Sequence, residues 1–173
     1  GNVWARSLSR LLELPAGTRR FVVRGRGLAN SLRVARLYMD RQGDLLIATA
    51  LGLARRISED RWEIIGKANG LPGNTVSCML EDREGSLWIG IGGVGLVRWL
   101  GRRRWESWTE AEGLGHDVVW SIRRDHRGTL WAATENGLSR FDERAKSWLP
   151  WRHPALKATR TMALSVSPDG NLW

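Results

Sequence analysis

Short apolar stretches separated by turn-forming residues run along the whole chain. Near the middle, the apolar run from Val76 to Leu80 ends before Asp82, and a second run, Leu87 to Ile89, begins just after Gly85. Aspartate at the first position and glycine at the fourth are typical of a type I turn whose last residue has a positive φ. Each run has the length of a β-strand, and helical i, i+3, i+4 spacing is nowhere sustained. The pattern therefore predicts β-hairpins rather than helices.

The turn glycine recurs at a nearly constant interval of 42 or 43 residues, at Gly1, Gly43, Gly85, Gly128 and Gly170. Four of these five copies continue as Gly-x-x-Trp, and only Leu46 replaces the tryptophan. Further downstream in each period, a second glycine marks another chain reversal, at Gly52, Gly95 and Gly137. Each period therefore contains four short strands of alternating direction, which is typical of a β-propeller blade.

The predicted fold class is all-β, a β-propeller fragment with four-stranded antiparallel blades of about 42 residues. We expect three full blades plus partial blades at both ends. The partial first blade covers 1–31, the full blades cover 32–66, 75–109 and 118–151, and the next blade starts in 160–173. Because the chain of 173 residues begins without Met and stops within a predicted strand, it is expected to be part of a longer protein.

The innermost strand of each blade is expected to be buried on both faces. Four nearly continuous apolar runs fit such strands, at Val34 to Met39, Val76 to Leu80, Val118 to Ile122 and Met162 to Val166. Continuous apolar runs are typical of strands that are covered on both sides. The tryptophan of each Gly-x-x-Trp segment is then expected to fill the space between blades. The first unit is the least regular, because Leu8 to Leu14 fits its third strand poorly.

Composition narrows the possible functions. The chain is 42% hydrophobic, which is enough for a core, but no apolar run approaches the roughly 20 residues of a membrane span. The single cysteine, Cys78, excludes an internal disulfide framework and a thiolate-rich metal site, and is expected to be a core residue. The net charge is +9, but the basic residues are spread along the chain, so we expect no nucleic-acid partner.

Three consecutive segments resemble the two-component regulator propeller repeat: Gly70 to Val76, Leu80 to Gly90 and Gly95 to Trp99. The resemblance is clear from Leu32 to Phe141 and weaker at both ends. It implies the periplasmic sensor region of a bacterial inner-membrane receptor. Such a receptor is expected to carry a histidine kinase or diguanylate cyclase elsewhere, to reach the membrane only through segments outside this chain, and to form a homodimer.

Propellers bind ligands at one end of the central channel, on loops that lead into the inner strands and on loops that follow the second strands. The corresponding loops here are 67–75, 92–94, 111–117 and 134–136. Comparison of the repeats also shows variable positions in the inner strands, one at Ala35, Ser77, Trp120 and Met162 and another at Tyr38, Leu80, Arg123 and Ser165. The candidate ligand-binding residues are Arg36, Asn74, His116, Asp117, Trp120, Arg123 and Glu135.

The expected ligand is a small molecule or a glycan fragment, bound without catalysis and without a cofactor. No metal site is expected, because His116, His126 and His153 occupy different places in their repeats. The sequence lacks a serine nucleophile elbow and a phosphate-binding loop. Two alternatives stay open: a protein–protein interaction scaffold, and a lyase-like propeller enzyme whose turnover depends on His116 or Glu135. Each candidate residue has surface or inter-blade packing as its competing interpretation.

Overall fold

Four antiparallel β-sheets follow one another along the chain in a computed structural model that describes residues 1–31, 36–101, 104–151, 153–154 and 159–173. Hydrogen-bonded neighbours in each sheet are also neighbours in the sequence, so every sheet is a simple up-and-down meander. The first sheet has three strands, and the second, third and fourth sheets have four each. The predicted number of strands per repeat is therefore confirmed in the second, third and fourth sheets.

The fifteen strands among the described residues are short, as the apolar runs predict. The first sheet contains β1 (Val3–Arg6), β2 (Leu11–Leu14) and β3 (Val22–Arg24). The second contains β4 (Leu37–Met39), β5 (Leu45–Thr49), β6 (Gly52–Ser58) and β7 (Arg61–Ile65). The third contains β8 (Val76–Glu81), β9 (Leu87–Ile91), β10 (Gly95–Trp99) and β11 (Trp105–Trp108). The fourth contains β12 (Val119–Arg124), β13 (Leu130–Thr134), β14 (Gly137–Asp142) and β15 (Ser147–Trp151).

The predicted turns between the first and second strands of each repeat are present. The N–H of Gly43, Gly85 and Gly128 donates a hydrogen bond to the carbonyl oxygen three residues earlier, at 3.1, 3.3 and 3.0 Å. These three glycines have φ values of 87°, 80° and 87°, the left-handed conformation that the turn requires. Glycine at this position therefore follows from backbone geometry.

The chain forms two compact units, Gly1–Val76 and Ser77–Trp173. The core of the first unit is aliphatic at its centre, where Leu11, Leu45 and Ile47 are buried and the half-buried Trp4 packs against them. Strand β2, which contains Leu11, is the third strand of the first repeat, although the residues from Leu8 to Leu14 match the repeat pattern poorly. It pairs antiparallel with both β1 and β3, so the first repeat departs from the pattern in sequence but keeps its strand pairing.

The core of the second unit is dominated by aromatic rings. Trp88 and Trp108 on the third sheet pack with Phe141 and Trp148 on the fourth sheet, and all four are buried. The Trp88 and Trp108 rings are stacked, with centroids 4.9 Å apart. Trp88, which is 1% exposed, confirms that a Gly-x-x-Trp tryptophan fills the space between neighbouring sheets.

Two expectations about the remaining repeats need correction. Trp173 is 76% exposed rather than buried between sheets, whereas Trp4 and Trp131 are half-buried. The run from Met162 to Val166 forms no strand; only Val166 pairs, through an isolated bridge to Leu172, and Met162 is 57% exposed. A pairing this short has few ladder hydrogen bonds to stabilise it. Val34 and Ala35 of the first predicted inner strand lie outside the described residues.

Candidate functional site

A β-bulge in the innermost strand of the fourth sheet sets Trp120 apart from its neighbours. Val119 pairs with Thr134 on β13. The next pair joins Ser121 to Ala133, so Trp120 is the extra residue between two consecutive pairs. Bulges redirect side chains and are over-represented next to binding sites. The local fold therefore presents Trp120 differently from a regular strand residue.

Glu135, in the turn between β13 and β14, binds the redirected Trp120. The indole N–H of Trp120 donates a hydrogen bond of 2.9 Å to Oε2 of Glu135. The other carboxylate oxygen accepts from Nε of Arg160 at 2.6 Å and also pairs with Nη2 of the same guanidinium. The turn itself is fixed, because the N–H of Glu135 donates to the carbonyl of Val118 at 3.0 Å. Glu135 thus connects an aromatic ring to a guanidinium.

The surroundings of Glu135 favour its ionised form. The hydrogen bond from Trp120 is the largest influence and lowers the pKa of the Glu135 carboxyl. Desolvation opposes this effect, while the hydrogen bond and the positive charge of Arg160 and the nearby His116 lower the pKa further. The site therefore holds a carboxylate with two fixed donors at neutral pH.

His116 lies beside this pair, on the loop that leads into β12. Its Nδ1 accepts a hydrogen bond of 2.9 Å from the N–H of Val118, so the neutral ring carries its proton on Nε2. Nε2 lies 3.9 Å from a carboxylate oxygen of Glu110. Asp117 organises the same loop, because its Oδ1 accepts from the backbone N–H of Glu110 at 2.8 Å. These bonds bring His116 and Glu110 together.

A short 3₁₀ turn, Glu110–Glu112, shapes this loop. Thr109 caps the turn by accepting a hydrogen bond from the N–H of Ala111, and the Glu112 carboxylate accepts from the N–H of Thr109 at 2.7 Å. Gly113 closes the turn at φ 89°. The capping residues therefore determine where Glu110 lies relative to His116.

Four of the predicted site residues come together, and the other three lie apart from them. His116, Asp117, Trp120 and Glu135 come together at one end of the fourth sheet. Arg123 is exposed three residues further along β12, and its Nη1 donates to the carbonyl of its neighbour Ile122 at 2.8 Å.

The other two predicted residues, Arg36 and Asn74, lie in the unit Gly1–Val76. Arg36 is exposed just before β4, and Asn74 is half-buried in the loop before β8. The Asn74 side-chain oxygen is buried and accepts no hydrogen bond within the part of the chain that the structure describes.

Sequence reasoning missed Arg160 and Glu110. Arg160 occupies the same place in its repeat as Val118 does in the preceding one, on the chain that leads towards the next inner strand. The repeat period could have indicated this position, because the loops before the other inner strands were already candidates. The period also places Glu110 at the position of Lys67, the first residue of the candidate loop 67–75, but the contact of Glu110 with His116 depends on the capped turn.

Two segments of the chain, residues 70–93 and 113–136, match the family model described as Two component regulator propeller. These two segments resemble the two-component regulator propeller repeat. The second segment includes His116, Asp117, Trp120 and Glu135, and therefore most of the candidate site. Comparison with the curated proteins finds no match.

Solved structures with a similar fold include extracellular domains from B. thetaiotaomicron. One is ascribed to the hybrid two-component system BT3049, with 18% identity and a TM-score of 0.80 over 99% of this chain and 24% of that one. Another is ascribed to the one-component system BT4673, with 19% identity and a TM-score of 0.79 over 100% of this chain and 27% of that one. This chain therefore spans about a quarter of the length of these domains.

A virginiamycin B lyase from Staphylococcus aureus is also similar, with 14% identity and a TM-score of 0.73 over 100% of this chain and 59% of that one. At these identities the comparisons establish the fold alone. The predicted fold class, a β-propeller fragment, is confirmed. Within the described ranges, no helix is long and apolar enough to cross a membrane.

Proposed function

We propose that the chain is part of the ligand-sensing β-propeller of a bacterial two-component-type receptor, located in the periplasm and acting without catalysis. The two matched repeats support the receptor class, and the extracellular domains with a similar fold support the location. Segments outside this chain would cross the membrane and carry the histidine kinase or diguanylate cyclase. A receptor homodimer is the expected assembly.

The observation that carries the proposal is the bulge that turns Trp120 towards Glu135. The repeat positions of Trp120 are Ser77 and Met162 in the neighbouring repeats, so the large aromatic ring is not a requirement of the blade. An indole ring beside a carboxylate and a guanidinium suits a ligand with one flat apolar face and several hydroxyl or amide groups. A glycan fragment or a similar small molecule has this chemistry.

The same contacts provide a path for a signal. Glu135 binds Arg160, and the next residue, Thr161, donates its N–H to the carbonyl of Thr134 at 3.0 Å. A ligand that engages Trp120 or Arg160 would therefore change the connection between the fourth sheet and the segment that follows it. If the ligand binds one arrangement of that segment more tightly than another, it increases the population of the arrangement that it prefers.

The test measures binding by calorimetry, with a panel of neutral and acidic oligosaccharides and short peptides and the intact receptor ectodomain. We expect one class to bind, Trp120→Ala to abolish binding, and Trp120→Phe, which removes only the N–H and one ring, to weaken it. Arg127→Ala is the control and should bind normally, because this exposed arginine lies in the turn between β12 and β13, at the other end of the strand from Trp120. Absence of binding by every class, or equal loss in Arg127→Ala, would refute the proposal.

A lyase-like enzyme is a second candidate, because His116 and Glu135 lie close enough to interact and a lyase has a similar fold. Turnover of a panel compound by the ectodomain, lost in both His116→Ala and Glu135→Gln, would favour this candidate. An interaction scaffold would instead show no small-molecule binding and normal signalling in Trp120→Ala.

A further inference from the structure

The turn that carries Glu135 does not need a carboxylate. The hydroxyl of Thr134 donates to a carbonyl oxygen at 3.0 Å and accepts from a backbone N–H at 3.2 Å. Thr49 makes the same two bonds at the same distances in the equivalent turn of the second sheet. The residue after this threonine is Glu135 in the fourth sheet but Ala50 in the second. The turn therefore forms equally well without the side chain of Glu135.

The two side chains that bind Glu135 are also departures from the repeat. The repeat position of Trp120 is Ser77 in the preceding repeat, and that of Arg160 is Val118. Each of the three bonded residues is thus replaced by an unrelated residue type in another repeat. The sheet itself does not require the contact of Arg160 with Glu135, so the contact has another role.

The ion pair between Arg160 and Glu135 is exposed to water. The side chain of Arg160 is 59% exposed and that of Glu135 is 26% exposed. Nε of Arg160 donates to Oε1 of Glu135 at 2.6 Å, and Nη2 pairs with the same oxygen. Ion pairs at this exposure are weak because water and other ions compete for both partners. Another cation can therefore replace the guanidinium on this oxygen.

The backbone beside Arg160 is held independently of this ion pair. The N–H of Thr161 donates a hydrogen bond of 3.0 Å to the carbonyl of Thr134. Departure of the Arg160 side chain from Glu135 leaves this backbone bond in place. The exchange of one cation for another thus requires only a side-chain movement.

The loops around Glu135 favour a cation over an anion. Loop 109–118 lies against the turn 134–137, where the N–H of Glu135 donates to the carbonyl of Val118 at 3.0 Å. Together these two segments contain no lysine or arginine but four carboxylates, those of Glu110, Glu112, Asp117 and Glu135. The rest of the chain is strongly basic, since the net charge is +9. An incoming anion is repelled here, whereas a cation is attracted.

We propose that Arg160 occupies the cation subsite of the ligand-binding site, and that the ligand carries an ammonium or guanidinium group that takes its place on Glu135. The flat apolar part of the ligand packs against Trp120. This inference rests on the proposed function, because it names the charge of the ligand at the same site. An amino sugar with a free amine and a basic peptide share this chemistry.

Arg160 is then an internal competitor of the ligand. The ligand binds only the fraction of molecules in which Arg160 has left Oε1 of Glu135, so the ion pair lowers the apparent affinity. Removal of Arg160 should therefore strengthen the binding of a cationic ligand. A ligand that Arg160 held directly would instead bind more weakly without it. The sign of the change distinguishes the two roles.

The first experiment uses ethylguanidinium as the probe and follows the Trp120 indole N–H signal of the intact receptor ectodomain by NMR. The signal is identified by its absence in Trp120→Phe. We expect ethylguanidinium to bind Arg160→Ala with a Kd about fivefold lower than that of the native protein. Glu135→Gln should remove the response. N-ethylurea, a neutral compound of the same shape, should not shift the signal.

Arg127→Ala is the matched control, because it removes the same charge from an exposed turn at the other end of β12. Its Kd for ethylguanidinium should equal that of the native protein. The proposal is overturned by equal affinities in the native protein and Arg160→Ala, or by an equal gain in Arg127→Ala. An equal response to N-ethylurea, or no response to either compound, also overturns it.

The second experiment measures, by calorimetry on the same ectodomain, a glucosamine tetrasaccharide, its N-acetylated form and a tetrapeptide that contains lysine. We expect the free-amine sugar or the peptide to bind, and Arg160→Ala to bind it more tightly. Binding by the sugar alone, with the N-acetylated form about tenfold weaker or more, assigns an amino sugar. Binding by the peptide alone assigns a basic peptide.

The outcomes separate this inference from the proposed function. A ligand without a cationic group that binds in a Trp120-dependent manner would overturn the inference and leave the proposed function intact. Weaker binding of a cationic ligand in Arg160→Ala would do the same. If no ligand class binds but ethylguanidinium still prefers Arg160→Ala, the proposed function fails while the cation subsite is supported.

Discussion

The indole N–H of Trp88 donates a hydrogen bond of 2.9 Å to the carboxylate of Asp82, six residues earlier. The other oxygen of this carboxylate accepts from the backbone N–H of Ser86 at 2.8 Å, which stabilises the turn between β8 and β9. The next repeat has the same arrangement, with 2.8 Å between Nε1 of Trp131 and the Asp125 carboxylate. The aspartate predicted to form the turn also accepts the hydrogen bond of the indole N–H beside it. The turn residue and the tryptophan therefore act as one structural unit.

Asp82→Asn should destabilise the protein more than the same change at Asp125. The Asp82 side chain is fully buried and pairs with the largely buried Arg98 guanidinium at 2.7 Å, so neutralising it leaves Arg98 only the longer contacts with Glu106 at 3.6 Å and Glu84 at 3.8 Å. We expect a loss of about 2–3 kcal/mol in the free energy of unfolding. Asp125→Asn, at the equivalent and partly exposed turn, should lose about 1 kcal/mol. Urea denaturation measures both, and equal losses would contradict the proposed role of Arg98.

Asp125 should contribute to the acid sensitivity of the fold. Partial burial raises the pKa of Asp125, but hydrogen bonds from Trp131, Thr129 and Arg127 outweigh this and lower it overall. A lowered folded-state pKa gives stability that is complete above the unfolded-state pKa and is lost as the pH falls through the folded-state value. The stability difference between the native protein and Asp125→Asn should therefore shrink as the pH falls from about 5 to below the ordinary pKa of an aspartate. A constant difference across this range, in denaturation curves, would show that Asp125 titrates normally.

Gly90→Ala should disrupt packing within the second unit. A Cβ atom added to Gly90 lies 2.5 Å from Sγ of Cys78 and 2.7 Å from Oγ of Ser77, and both residues are buried. Such overpacking costs about 1–3 kcal/mol of unfolding free energy. The double variant with Cys78→Ala should recover part of the loss, because the closer clash is removed. If the double variant is less stable than Gly90→Ala, the sulfur is not the obstacle.

The Trp120 indole signal should report the ionisation of Glu135. In an acid titration followed by NMR, the indole N–H shift of Trp120 should change with a midpoint below the ordinary pKa of a glutamate. Arg160→Ala should raise this midpoint, since it removes a hydrogen bond and a positive charge that favour the carboxylate. Arg160→Lys retains the charge and should raise it less. An unchanged midpoint in Arg160→Ala would show that Arg160 does not influence the ionisation of Glu135.

The candidate site was only partly accessible from the sequence. Trp120 and Glu135 could be selected because the repeat places them on the inner strand and on the loop after the second strand. Their hydrogen bond depends on the bulge, which adds an unpaired residue to β12. No glycine or proline in this strand predicts the bulge from the sequence. The contact of Arg160 with Glu135 spans 25 residues and two repeats, so local sequence patterns do not encode it.

The sequence by itself determined most of the strands, the turns and the period, because these follow from local chemistry: short apolar runs, aspartate at the turn and glycine at positive φ. Only the tertiary structure decided how each copy of the repeated motif is used. Trp88 and Trp131 occur in the same motif and bind the same kind of aspartate, yet one is buried and the other half-buried. Burial depends on the sheet packed against each ring, and that neighbour lies a whole repeat away in the sequence.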